Sequence, residues 1–181
     1  IGYLTLAVVG MSFFASRHGR RGMALAAIVC ALAGAAAHEW SGVFHARVHN
    51  AIDEAEHWQR GKGDPTSIGT RFDYYSNTLA IIREHPLIGV GSGGFIGAYD
   101  EKIRNTSMEP SNNPHNQYLL FAAQYGLPGL AALLCFYALF WRQAARLEAP
   151  WGEIARTLLL VYAIGNLFNS FMLDFSERLL F

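Results

Sequence analysis

One stretch limits what this chain can fold into before any other residue is weighed. The apolar run Tyr118–Trp141 covers 24 residues, about 36 Å as an α-helix, which is enough to cross a bilayer core of roughly 30 Å. Three shorter apolar segments accompany it: Ile1–Ala15, Met23–Ala37 and Thr157–Leu173. Taken singly, each is short enough to be a buried core helix. The flanking charges decide between the readings. Arg17, Arg20 and Arg21 lie between the first two segments, and Arg142 and Arg146 lie between the last two. Short basic connections belong on the cytoplasmic side of a membrane. Parity then puts Glu39–His115 and the tail from Asp174 on the other side. The expectation is an integral membrane protein built from helices.

Composition agrees. Of 181 residues, 52% are hydrophobic and 15% charged, with a formal net charge of zero. Average soluble domains carry about a quarter charged residues, so this chain is depleted in them. Its mean hydropathy of +0.18 is modest for a membrane protein, as expected when apolar blocks alternate with one large polar block. No nucleic-acid partner is expected. Ile1 starts inside an apolar run with neither an initiator Met nor a basic leader, so the chain reads as the C-terminal piece of a longer protein with a truncated first span. Met23–Ala37 is rich in Ala and Gly, which suits close packing of helices. Cys30 and Cys135 fall within apolar stretches and read as small apolar residues.

The polar block Glu39–His115 holds 7 Lys or Arg against 10 Asp or Glu, a net charge of −3. A structureless loop of that length is unusual, so it should contain its own elements. Ser41–Arg60 repeats Phe44, Val48, Ile52 and Ala55 at helical spacing, and Gly61–Ile68 reads as a turn. Arg71–Glu84 repeats Phe72, Tyr75, Leu79 and Ile82, and His85 and Pro86 end it. A Gly-rich turn over Leu87–Phe95, a short helix over Phe95–Arg104 and a polar loop over Asn105–Pro114 complete the block. No β pattern is present. The expected divisions are 1–38 (two spans), 39–115 (helical cap carrying the site) and 116–181 (two spans and the start of a tail).

The candidate site residues cluster where the polar block meets the longest apolar run, in NNPHNQYLLFAAQYGLPG from Asn112 to Gly129. Asn113 followed by Pro114 is a helix-start signal, Asn as cap and Pro at the first helical position. His115 is therefore expected in the first turn, beside free N–H groups and the positive end of a helix dipole. That field favours the neutral imidazole and attracts anions, which suits a general base. The alternative is an interfacial His that only caps or hydrogen-bonds locally. Arg71 is read as opening the second cap helix. Its guanidinium could hold phosphate oxygens in bidentate fashion, or it could be solvated or paired with Asp73 or Glu84. Arg83 and Arg104 admit the same two readings.

Other motifs carry less. Gly89–Gly94 matches G-x-G-x-x-G but lacks a βαβ context, so it reads as a tight turn where backbone approaches a neighbour or a ligand. His45 and His49 lie four apart, a spacing that serves a solvated face better than a metal with no acidic ligand fixed beside it. Asn105, Thr106 and Ser107 form a chance sequon. Asn166 and Asn169 are expected to make hydrogen bonds between helices. Tyr118, Tyr125, Trp141 and Trp151 fall where aromatic belts are expected.

Arg71, then IIREHPLIGVGSGGF, then PHNQYLLFAAQYGLPGL resembles the C-terminal core of the O-antigen ligase and polymerase superfamily of bacterial envelope glycosyltransferases. The shared pattern is an Arg opening a periplasmic helix, a Pro- and Gly-bearing turn ending in Phe, and a His-Asn pair leading into a transmembrane helix. The likeness covers about Ile68–Leu130. It implies an all-α, polytopic transmembrane protein with a helical periplasmic cap between two spans, set in the inner membrane of a Gram-negative bacterium. It further implies transfer of a glycan from undecaprenyl pyrophosphate to an acceptor hydroxyl. His115 would be the base, Arg71 the pyrophosphate ligand, and Asn116 and Arg104 supporting residues, with inversion at the anomeric carbon. No metal or other cofactor is expected. A further Arg that the family carries in an earlier periplasmic loop has no counterpart here. Among the superfamily's activities the ligase acting on lipid A–core is favoured, because NPHNQYLLFAAQYG most resembles that branch and no second His precedes the His-Asn pair. An O-antigen polymerase or a protein oligosaccharyltransferase is the alternative. A non-catalytic membrane transporter or scaffold is the alternative of another class.

Overall fold

Apolar residues at helical spacing, broken by glycine, build every element of the computed structural model, which describes residues 2–59 and 66–173. The described residues are helical and contain no strand: α1 Gly2–Trp40, α2 Gly42–Gln59, α3 Ser67–Glu84, α4 Phe95–Ile103, α5 Gln117–Ala144 and α6 Trp151–Gly165. Most of the turn expected over Gly61–Ile68 and the tail from Asp174 lie outside the described residues. The chain divides into two compact units, one of Ile1–Ile68 with Trp141–Val161, the other of Gly69–Phe140 with Tyr162–Phe181.

In the first unit, the basic connection expected between two apolar segments is a single break inside α1. Gly19 adopts φ 57° and ψ −141°, and the chain turns tightly enough that a Cβ on Gly22 would lie 2.2 Å from the Phe14 carbonyl oxygen. Arg17 stays exposed there, its guanidinium 5.1 Å from the centre of the Phe13 ring. The arm Arg17–Trp40 is long and apolar enough to cross a membrane, and 11% of its most apolar window is buried. A core helix of a soluble domain would be mostly covered; here Leu25, Ile28, Val29 and Leu32 are all exposed. On α2 and its approach, the His38, His45 and His49 rings follow one another with centroids 4.4 and 4.7 Å apart.

The second unit carries the core. Phe95, Tyr99 and Ile103 recur every fourth residue, so α4 presents one apolar stripe. That stripe packs with Ile81 of α3 and with Leu120 and Ala123 of α5, while Tyr74, Ile82, Val90, Ala98 and Met108 close around them. Each large side chain buried this way contributes about 1.5–3 kcal/mol. Burial also raises the Tyr99 hydroxyl above the ordinary tyrosine pKa. Lys102 pairs with Glu84, linking α4 to the end of α3.

The longest apolar run is not one straight helix. Gly126 sits at φ 70° and ψ −172° inside α5, a conformation that only glycine adopts without strain. The break frees carbonyl groups of the turn before it, and the Gly-rich turn answers them. Val90 N–H donates to the Ala123 carbonyl at 2.9 Å and Gly91 N–H to the Gln124 carbonyl at 2.9 Å. In return, Leu127 N–H donates to the Pro86 carbonyl at 2.8 Å. Backbone lies against backbone: a Cβ on Gly89 would stand 2.4 Å from the Gln124 carbonyl, and one on Gly126 would stand 2.4 Å from the Leu87 oxygen. The G-x-G-x-x-G stretch is thus a turn whose backbone approaches a neighbour, as its sequence context implies. Despite the break, Gln117–Ala144 has the length and hydropathy of a span.

The fourth apolar segment is corrected more deeply. Helix α6 covers Trp151–Gly165, 15 residues, about 22 Å long and short of a bilayer core. Residues 166–173, expected to continue a span, form turns instead.

Candidate functional site

The His115 turn is assembled from short polar side chains that bond their own backbone. Ser111 Oγ accepts from Asn113 N–H at 3.2 Å and donates to the Asn113 carbonyl at 2.8 Å. Asn113 Oδ1 then accepts the His115 N–H at 2.8 Å, an Asx-type turn closed across Pro114. His115 follows with φ +53°, in the left-handed region, and no other described non-glycine residue has a positive φ. Few non-glycine residues adopt that region, and histidine, with Asn and Asp, is among those that reach it more often. Such strain persists where the surroundings fix it, and it concentrates at functional sites.

A residue with positive φ cannot sit in the first turn of a helix, so the expected start of α5 moves. The helix begins at Gln117, and Asn116, not Asn113, is its cap. Asn116 Oδ1 accepts from Leu119 N–H at 3.1 Å and its carbonyl accepts from Leu120 N–H at 3.0 Å. His115 therefore stands just before the cap.

The turns after α6 come to this cap. Gln117 N–H donates to the Asn166 carbonyl at 2.9 Å, and Asn116 Nδ2 donates to the Leu167 carbonyl at 3.1 Å. Gln117 Oε1 accepts from Met172 N–H at 2.9 Å, and Asn166 Nδ2 donates to the Tyr137 hydroxyl at 2.8 Å. Asn166 and Gln117 are both fully buried, so these bonds satisfy groups that would otherwise be costly to desolvate. The end of α6 at Gly165 has a reason here: a continued helix would commit the carbonyls of Asn166 and Leu167 to itself.

The half-buried imidazole of His115 is held on two sides. Tyr74 stacks on it, centroids 5.7 Å apart and planes 27° from parallel. Asn169 Oδ1 lies 3.3 Å from Nδ1. The Tyr75 hydroxyl reaches the carbonyls of His115 at 3.4 Å and Leu167 at 3.3 Å. Among the described residues Nε2 has no hydrogen-bond partner and no carboxylate forms an ion pair with the ring. One nitrogen is engaged and the other is available, the arrangement a general base requires.

Arg71 does not open α3. The helix starts at Ser67, where Ile68 N–H donates to a Glu54 carboxylate oxygen at 3.1 Å, so Arg71 falls in its second turn. It is exposed and lies three and four residues before Tyr74 and Tyr75, on the helix face that those two residues share with the His115 turn. Arg104 is the C-cap of α4 and exposed; no hydrogen bond joins it to the His115 turn among the described residues. The sequence reading missed Tyr74, Tyr75 and Asn169. The two tyrosines could have been found from their spacing after Arg71. Among the described residues no group of three or more His, Cys, Asp or Glu is placed to hold a metal ion.

A helical chain with a capped His turn and two helices of membrane-spanning length matches a known family. The family model described as O-antigen ligase matches residues 1–134, and the chain belongs to that family of membrane-associated, glycosyltransferase-like enzymes. The matched residues include Arg71, Arg104, His115 and Asn116; Asn169 lies beyond them. The chain is also similar to an uncharacterized protein of Haemophilus influenzae, 36% identical over 73 residues, covering 38% of this chain. It spans 18% of that relative's length.

Proposed function

We propose that this chain is the C-terminal part of an O-antigen ligase that moves a glycan from undecaprenyl pyrophosphate to a sugar hydroxyl of lipid A–core. In this reading the protein is multi-pass in the inner membrane of a Gram-negative bacterium, with 39–115 as its periplasmic cap. The acceptor hydroxyl gives its proton to His115 Nε2 while its oxygen attacks the anomeric carbon. The bond from that carbon to the pyrophosphate breaks, and the electron pair leaves on undecaprenyl pyrophosphate. Attack from the face opposite the leaving group inverts the centre. Arg71 faces the pyrophosphate and offsets its charge, because a guanidinium remains charged at any relevant pH. Asn116 holds the turn and, through it, the ring.

The observation that carries the reading is the hold on His115: a strained backbone, a stacked ring and one free nitrogen. The experiment is complementation of a ligase-deficient strain that makes a compatible O-antigen. The full-length parent is tested as wild type, His115→Ala and Arg71→Ala, with lipopolysaccharide run on a gel and membrane levels checked. Wild type should restore the ladder, and both variants should lose it. A parent that restores nothing points to the polymerase or the protein-modifying activity. A ladder that survives His115→Ala removes the base.

A further inference from the structure

We infer that Asn169 is a positioning residue that fixes the tautomer of His115, an inference that rests on the reading of His115 as a general base. A neutral imidazole carries one proton and one lone pair, and only the nitrogen with the lone pair can take a proton from a hydroxyl. Which nitrogen that is depends on what the other one meets. Asn169 Oδ1 stands 3.3 Å from Nδ1. An amide oxygen is an acceptor only, so it stabilises the tautomer with the proton on Nδ1 and leaves the lone pair on Nε2.

Three further contacts make the ring orientation definite enough for this to matter. The His115 N–H is bound by Asn113, its carbonyl is met by Tyr75, and its ring is stacked by Tyr74. None of these distinguishes Nδ1 from Nε2. The groups facing His115 are thus two tyrosines and two asparagines, Asn113 and Asn169, with no carboxylate or cation in an ion pair with it among the described residues. When Nε2 takes the acceptor's proton the ring becomes imidazolium, and Asn169 Oδ1 remains a partner for Nδ1–H. The same atom therefore serves before and after proton transfer. Asn166, three residues earlier, does something different: it joins Tyr137, Gln117 and Phe171 in a buried structural network. Only the second asparagine of the pair addresses the histidine.

The test uses the purified full-length protein in lipid nanodiscs, with undecaprenyl-pyrophosphate-linked O-antigen and lipid A–core, and follows transfer rate from about pH 5 to pH 8, a range that brackets the histidine pKa. Asn169→Leu keeps the branched shape and removes the acceptor, so kcat should fall about three- to tenfold with little change in KM, the value of one ordinary hydrogen bond. Asn169→Asp keeps an acceptor on Nδ1 and adds a negative charge, which favours imidazolium. It should retain most of the activity at the alkaline end, while the acid limb of the rate profile moves up by roughly one pH unit. A merely structural Asn169 would not move that limb. Wild-type rates in Asn169→Leu, or an unshifted limb in Asn169→Asp, overturn the inference while an inactive His115→Ala leaves the base intact. Full activity in His115→Ala overturns both.

Discussion

Two helices of this chain are each broken by one glycine, and the two breaks have opposite settings. Gly19 in α1 and Gly126 in α5 share the same unusual backbone region, at φ 57° and 70°. Nothing lies within 4 Å of where a Cβ would sit on Gly19, whereas Gly126 faces the Leu87 and Pro86 carbonyl groups at 2.4 and 2.8 Å. The first is a free corner. The second is half of a joint whose other half is the turn Pro86–Gly91. One conformation can therefore serve a connection or a docking surface, and only the neighbours tell them apart.

The comparison can be broken by substitution. The largest effect is expected for Gly126→Ala, which adds a backbone clash to the strain and should cost about 3 kcal/mol or more, seen as a large drop in Tm of the full-length protein. Gly19→Ala carries only the conformational part and should cost about 1–2 kcal/mol. Equal losses in the two would mean that the docked turn adds nothing. Asn116→Ala removes the cap of the docked helix and should cost about 1 kcal/mol, with a further loss of transfer activity because the His115 turn loses its tie to Leu167. Smallest is Lys102→Ala. It opens a partly exposed pair with Glu84, and thermal unfolding should register a change of at most about 1 kcal/mol.

Helices α3 and α4 are legible because their signals are local. Phe72, Tyr75, Leu79 and Ile82 announce α3 by spacing alone, and the short helix expected over Phe95–Arg104 is α4. Arg71 was misplaced within α3 because the Ser, Gly and Thr before it look like a turn, and the Glu54 carboxylate that helps start the helix earlier comes from α2. The start of α5 was misread for a similar reason. Asn113 with Pro114 and Asn116 are both valid caps in sequence, and the left-handed His115 between them decides the matter. The break at Gly126 was present in the letters YGLPG, but the surrounding apolar run dominated. Asn169 was beyond reach: the contact closes 54 residues of chain, and no local pattern distinguishes it from Asn166.

Under the proposed base role, the backbone of His115 also sets stability and activity against each other at one position. A glycine there would relax the turn at φ +53° while deleting the imidazole. Selection for heat resistance alone would favour that exchange, and selection for turnover would forbid it.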